Sequence, residues 1–272
     1  MEIDVGEWFH LAIRWVHVFA GIMWIGQTYF FTWLDARLEE AEGLAARDNL
    51  GATVWMVHSG GFYVVDKQKV PKLLPRKLHW FKYEALLTWL SGVVLLAYVY
   101  YAGGAMVDEM VYALDERTAI AIGVGAIVAA WFVYDFFWLS PLGKNEGVGA
   151  AVSYLLLIAA AYAFTRLFSG RAAYMHVGAL MGTLMVCNVW LRILPAQRQL
   201  IAATKEGQSP DLTLASRAKQ RSKHNTFMVM PLVFIMLSNH FPTSTFGTDY
   251  RWPVLAALIL IGWAVAKVVR SH

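Results

Sequence analysis

Seven stretches of this sequence are apolar over the length of about 18 residues or more that a helix needs to cross a membrane. They run over residues 11–34, 80–102, 118–140, 147–168, 172–194, 224–241 and 251–270. Backbone amides in hydrocarbon must be hydrogen-bonded within their own segment, so each stretch is predicted to be helical. The sequence therefore predicts an all-α integral membrane protein, a single domain over residues 1–272 that forms a seven-transmembrane-helix bundle.

Composition and charge agree with this prediction. Hydrophobic residues make up 58% of the chain and charged residues 15%, compared with about 25% charged residues in soluble domains. The net charge of +4 resides in loops and does not indicate nucleic-acid binding. The loops over 35–79 and 195–223 are rich in Lys and Arg, which places them on the cytoplasmic side. This orientation predicts an external N-terminus and a cytoplasmic C-terminus.

One loop segment is apolar but too short to span a membrane. Residues 52–65, ATVWMVHSGGFYVV, are predicted to form a re-entrant or interfacial segment on the cytoplasmic side. The adjacent glycines at 60 and 61 would interrupt a helix there.

Two apolar helices carry a histidine in the same local setting. RWVHVFAGIMWIGQT at 14–28 resembles YMHVGALMGTLMVCN at 174–188, with His17 aligned to His176. His79 and His224 each stand at the cytoplasmic start of the next helix. The pattern predicts a duplicated histidine-bearing hairpin, helices 1–2 and 5–6, with His17 and His176 at similar depth in the outer half of the membrane.

Paired histidines across a four-helix bundle can provide the axial ligands of a b-type haem. The chain has a single cysteine, Cys187, and therefore no C-x-x-C-H motif for covalent haem attachment. We predict one or two haem b groups, with His17, His79, His176 and His224 as candidate ligands. Arg14, one turn before His17, could pair with a haem propionate. Alternatively, membrane histidines can simply hydrogen-bond a neighbouring helix, and those near the surface can be solvated.

Several motifs along the chain are similar to a known family. WVHVFAGIMWIGQTYF, VHSGGFYVVDK, FKYEALLTWLSG, SPLGKN and SNHFP resemble the membrane domain of bacterial membrane-bound urate oxidases. The first-helix pattern also resembles a wider group of haem-binding four-helix membrane proteins. The urate oxidase family has about eight membrane helices followed by a cytochrome c domain, and this sequence contains no segment that matches that domain.

The resemblance implies an activity in purine catabolism at the bacterial inner membrane. Urate would be oxidised to 5-hydroxyisourate, and electrons would pass through haem b iron to a cytochrome c, present as a separate protein or a missing C-terminal domain. Urate is an anion, so a basic residue is expected in its site. Lys82, with Glu84 or His58 as proton acceptor, is the candidate catalytic set.

Two other classes of function are compatible with the same residues. A di-haem cytochrome b that only carries electrons from a quinol to a partner would use the same histidines. A membrane transporter for urate or a metal ion would also fit a duplicated bundle with buried polar groups. The helices lack the Gly or Pro breaks near the midplane that transporter sites commonly show.

Overall fold

The computed structural model describes residues 4–48, 53–68 and 77–271, without the side chains of 44–48 and 271. Its helices are α1 Val5–Asp48, α2 Tyr83–Tyr101, α3 Glu116–Leu139, α4 Glu146–Leu167, α5 Gly170–Lys205, α6 Leu212–Leu237 and α7 Arg251–Ser271. Within the described residues, all of these except α6 are long and apolar enough to span a membrane. The prediction of an all-α membrane bundle is confirmed.

Helix α5 is the centre of the bundle. It packs against α2, α3, α4 and α6, whereas α1 packs mainly on α2, and α7 lies against α6 and α4. In the most apolar stretch of α5, 56% of the residues are buried, compared with 6–28% in the other five apolar helices. The remaining helices therefore present apolar side chains outwards, as lipid-facing helices do. Trp15, Phe19 and Ile22 of α1 are examples.

The two faces of the bundle can be named by the chain ends. Helix α1 begins at the face we call the N-face, and α7 ends at the opposite face, the C-face. Helix α1 has 44 residues, roughly 66 Å at 1.5 Å per residue, so it projects well beyond a membrane of about 30 Å. Helix α6 reaches the bundle from the C-face with a polar first half and an apolar second half.

The predicted re-entrant or interfacial segment is a β-hairpin. Strands β1 Thr53–His58 and β2 Gly61–Asp66 pair antiparallel, with His58 opposite Gly61. Ser59 and Gly60 form the turn with φ values of 51° and 79°, the left-handed pair that a tight hairpin requires. Val54 packs with Leu34 and Leu38 of the projecting part of α1. Ala52 of the predicted segment, and Lys69, Lys72 and Arg76 of its loop, lie outside the described residues.

Several predicted boundaries differ from the observed ones because polar residues can extend a helix beyond a membrane. The structure continues α1 to Asp48, and α5 to Lys205, and begins α6 at Leu212. Periodicity in apolar residues marks only the part of a helix that is in contact with lipid or core.

Two helices contain a π-helical turn, at Ala97–Tyr101 in α2 and at Asn188–Ile193 in α5. A π turn widens the helix and often accompanies a functional site. In this protein each turn carries residues that contact a buried polar side chain: Tyr101 bonds His176, and Arg192 bonds Asp135.

Helices α6 and α7 cross at Pro231 and Gly262. Pro231 lies inside α6, where its ring removes one helical hydrogen bond. A Cβ placed on Gly262 would lie 2.7 Å from both the Pro231 backbone nitrogen and its Cδ atom. Backbone atoms cannot rotate away as a side chain can, so this contact requires glycine.

We expect Gly262→Ala to destabilise the bundle by about 1–3 kcal/mol, the usual cost of overpacking. Thermal unfolding of the purified protein in detergent measures this as a lower melting temperature. Gly125→Ala on α3 is the matched control, because a Cβ there has no neighbour within 4 Å. Equal melting temperatures for the two variants would contradict the close α6–α7 contact.

Candidate functional site

A buried carboxylate near the C-face end of α3 is bound by two arginines. Asp135 is 4% exposed, and the Arg192 side chain donates to both of its carboxylate oxygens, with Nε 2.9 Å from Oδ1. Arg221 Nη2 donates to the same Oδ1 at 2.9 Å. One negative charge is thus shared by two positive charges. The Arg221 Nη1 atom is buried and has no hydrogen-bond partner among the described residues.

A second set of polar groups continues from this ion cluster. Asn188 Nδ2 donates to the Tyr134 hydroxyl and to Asn225 Oδ1, both at 2.9 Å. The Tyr134 hydroxyl, which accepts from Asn188, is 2.7 Å from His224 Nδ1. We assign the hydroxyl proton to this hydrogen bond, since His224 Nδ1 is an acceptor within its reach, and the neutral His224 ring then carries its proton on Nε2.

A cavity of about 580 Å³ opens beside these groups; we call it the C-face pocket. Its walls come from α1, the residues before α2, α5, α6 and the end of α7. They combine aromatic rings with side-chain amides and hydroxyls: Trp24, Phe31, Trp80 and Phe81, and Gln27, Gln197, Asn225, Thr28, Thr32 and Ser222. Small-molecule sites are typically cavities of about 300–1,000 Å³ with apolar walls and a few polar groups.

The charged residues of the C-face pocket are unequally paired. Lys219 is bound to Glu39, and Lys223 lies 2.7 Å from Glu146. Asp35 is bound by Lys67 at 2.5 Å. Arg270 also lines the pocket and pairs with no carboxylate among the described residues. Its guanidinium, which lies 5.8 Å from the centre of the Phe227 ring, is therefore available to an anionic ligand.

The predicted catalytic set is not assembled in one place. His58 is exposed at the end of β1 on the hairpin. Lys82 lies among the Trp80, Tyr83 and Trp190 rings, 4.9–5.7 Å from their centres. Glu84 has a buried Oε2 atom without a hydrogen-bond partner among the described residues. None of the three predicted residues is among those that line the C-face pocket in the described chain.

The histidines predicted for the outer layer lie at different depths, contrary to the expectation from the repeat. The His17 Nδ1 atom lies 2.9 Å from the Thr88 carbonyl oxygen, and its ring faces Gly92 on α2. His176 instead meets α2 at Tyr100 and Tyr101. Gly92 and Tyr100 are eight residues apart, roughly 12 Å along a helix. The aligned positions therefore do not face one another, because the two helices meet α2 at different heights.

The second predicted pair is also separated. His79 is exposed and lines the C-face pocket, whereas His224 lines a different, apolar cavity beside α3 and α4. The Arg14 Nη2 atom donates to His10 Nε2 at 2.9 Å, one turn away on the same helix. Within the described residues no cluster of three or more His, Cys, Asp or Glu side chains could hold a metal ion.

The residues fit a bis-histidine haem poorly. His176 is fully buried, with Nδ1 bonded to the Ala172 carbonyl at 2.8 Å and Nε2 to the Tyr101 hydroxyl at 3.0 Å. A Cβ on Gly123 would come within 2.9 Å of its ring. His17 is better suited, since a bonded Nδ1 orients a ligand histidine, but no second histidine in the described part of the chain faces it. The haem-ligand role of these histidines stays a prediction.

The basic partners of Asp135 and the amides of the C-face pocket were not predicted from the sequence. The sequence did contain a signal for the basic partners, because an aspartate inside an apolar helix requires a cation elsewhere in the bundle. Arg192 lies inside the predicted fifth helix and Arg221 in a predicted loop. Nothing in the spacing of Gln27, Gln197 and Arg270 indicated that they would share a cavity.

We expect Asp135→Asn to destabilise the protein by about 3–5 kcal/mol, because it leaves the buried Arg221 charge unpaired. Thermal unfolding in detergent measures the change. Asp115→Asn, at the start of the same helix, is the control. Asp115 caps α3 by accepting from the Thr118 N–H and hydroxyl, and these hydrogen bonds lower the pKa of its carboxyl. Asn caps a helix equally well, so this substitution should change stability little. A small and equal effect for both variants would contradict the importance of the ion cluster.

Comparisons with known proteins agree with the resemblance found in the sequence. No curated protein and no solved structure matches the chain. The profile of the family described as "Urate oxidase N-terminal" matches residues 4–272. The matched range includes the β-hairpin, all seven helices, the ion cluster and every residue that lines the C-face pocket. The chain therefore belongs to the urate oxidase N-terminal family.

Proposed function

We propose that this multi-pass membrane protein oxidises urate to 5-hydroxyisourate, with urate bound in the C-face pocket. The observation that carries the proposal is the pocket itself, where Arg270, which has no carboxylate partner among the residues that the structure describes, lies among amides and aromatic rings in a chain of the urate oxidase N-terminal family. By the positive-inside rule the pocket would face the cytoplasm of a bacterium.

The pocket matches the chemistry of urate in three ways. Urate is flat and aromatic, and the Trp24, Phe31, Trp80 and Phe81 rings offer faces on which it can stack. It is an anion at neutral pH, and Arg270 offers a planar pair of donors for adjacent carbonyl or nitrogen atoms. Its edge alternates donors and acceptors, which side-chain amides can match in either orientation.

The reaction requires water and a proton acceptor. Written for neutral urate, urate and water give 5-hydroxyisourate, two protons and two electrons. The water oxygen forms a bond to C5 of the ring, and the protons come from water and from a ring N–H. His79 lines the pocket, and imidazole is the commonest general base, so we assign it the proton from water. Asp35 and Glu39 are engaged with lysines.

Haem b and a cytochrome c acceptor remain predictions from the sequence. The described histidines do not assemble an axial pair. A haem held by His17 alone, or by a partner protein, would supply one-electron transfer. The three aromatic rings around Lys82 stabilise its positive charge at the start of α2, which agrees with a role of Lys82 in anchoring that segment.

The direct test is conversion of urate by the purified protein in lipid nanodiscs. With ferricyanide or cytochrome c as acceptor, we expect loss of the ultraviolet absorption of urate and formation of 5-hydroxyisourate. In ¹⁸O-labelled water the label should appear in the product. Absorption spectra recorded during the reaction show whether any haem is reduced by urate. Urate that stays intact with both acceptors would overturn the proposal. If the protein in sealed vesicles instead moved unchanged urate across the membrane, a transporter would be favoured.

Arg270→Gln should raise KM for urate by about 10–100-fold, since hydrogen bonds to charged groups contribute about 1.5–3 kcal/mol. The value of kcat should change less, because the arginine binds the substrate and the transition state alike. Steady-state kinetics in the same nanodiscs measure both constants. Lys267→Gln is the matched control, as Lys267 is exposed on the same helix and is not among the residues that line the pocket. Similar KM values for the two variants would exclude Arg270 from the urate site.

A further inference from the structure

A second cavity, of about 660 Å³, lies between α3 and α4 with α5, α6 and α7 behind it; we call it the apolar cleft. It is lined from Ile122 to Trp138 on α3 and from Glu146 to Leu167 on α4. The α4 wall covers 21 residue steps, roughly 32 Å at 1.5 Å per residue, close to the thickness of the hydrocarbon core. The cleft is therefore a long slot along the membrane normal.

Polar groups of the cleft gather at its C-face end. His224, Tyr134 and Ser153 are there, and the Trp138 ring lies 4.1 Å from the His224 ring, centre to centre. Trp138 Nε1 donates to Ser153 Oγ at 3.2 Å. Towards the N-face the lining is apolar and includes Phe164 and Leu167. The shape suits a molecule with one flat polar head and a long apolar chain.

The charged side chains that line the C-face end of the cleft, where the polar head would bind, have no net charge. Lys223 and Glu146, which both line the cleft, form an ion pair with each other at 2.7 Å. A phospholipid phosphate would have to compete with Glu146 for this lysine. His224, with Nδ1 occupied by Tyr134, can donate from Nε2 to a carbonyl oxygen. A neutral donor beside an indole ring suits a quinone ring better than an anionic headgroup.

The apolar cleft and the C-face pocket share a wall. Asn225 lines the pocket, His224 lines the cleft, and Lys223 lines both. The hydrogen bonds from Asn225 through Asn188 and Tyr134 to His224 join the two cavities. A ligand in the pocket that moves Asn225 would therefore affect the donor at the head of the cleft.

We propose that the apolar cleft binds a membrane quinone, which receives the two electrons released from urate in the C-face pocket. The inference rests on the proposed function. The balanced reaction is urate, water and quinone giving 5-hydroxyisourate and quinol. A C5–O bond forms from water, the urate ring is oxidised by two electrons, and the two released protons end on the quinone oxygens. The electrons cross the wall formed by residues 223–225 of α6.

Binding is tested first, without urate. The intact protein in nanodiscs is photolabelled with an azidoquinone, and the labelled peptides are mapped by mass spectrometry. We expect label on peptides of α3, α4 and α6 that line the cleft, and its loss in Ala160→Phe, which fills the slot. Ala159→Phe is the control, because Ala159 is exposed and is not among the cleft residues. Equal labelling of both variants, or phospholipid retained in the cleft with no quinone label, would overturn the site.

Turnover is tested next with two acceptors. Decylubiquinone should be reduced by urate, and Ala160→Phe and His224→Phe should each slow this reaction by about tenfold, the effect of about 1.4 kcal/mol. Ferricyanide needs no hydrophobic site and reports whether urate oxidation itself is intact. Urate oxidation with ferricyanide but never with the quinone would overturn the quinone inference and leave the proposed function standing. No oxidation with either acceptor would instead count against the proposed function.

Discussion

The carboxylate of Asp135, held by Arg192 and Arg221, ties together the three helices around which the bundle is arranged. Charges are costly in a membrane interior, so this cluster is stable only while all three side chains remain in register. It therefore sets the rotation of α3, α5 and α6 about their axes. The π turn of α5 begins at Asn188 and includes Arg192, so a local widening of the helix accompanies this arrangement.

The rotation of α6 determines which of its side chains reach which cavity. Arg221 points to the ion cluster, His224 to the apolar cleft and Asn225 to the C-face pocket. The positions of these three side chains, in the ion cluster, the cleft and the pocket, thus depend on one turn of one helix. The first half of α6 is polar and carries exposed side chains such as Arg217 and Lys219, as expected for a helix that extends beyond the membrane at the C-face. This explains why α6 carries charge where the other helices are apolar.

The histidine repeat illustrates what similarity between segments can and cannot predict. His17 and His176 occupy equivalent helical positions, and both pack against a glycine of a neighbouring helix, Gly92 or Gly123. Their helices have different neighbours, however, because α5 is central and α1 is peripheral. Equivalent positions in a repeat therefore face different environments. The same reasoning applies to His79 and His224, which line separate cavities.

The sequence by itself determined the class of fold and the family. Apolar segments long enough to span a membrane must be helical, since a single segment cannot otherwise satisfy its backbone hydrogen bonds in lipid. The family could be recognised because its motifs, such as VHSGGFYVVDK, are short continuous stretches of sequence. Only the tertiary structure decided which polar residues meet. Gln27, Asn225 and Arg270 are far apart in the chain and are brought to one cavity by helix rotation and crossing. The rotation and crossing of the helices depend on the packing of many side chains at once, and no single segment of the sequence encodes that packing.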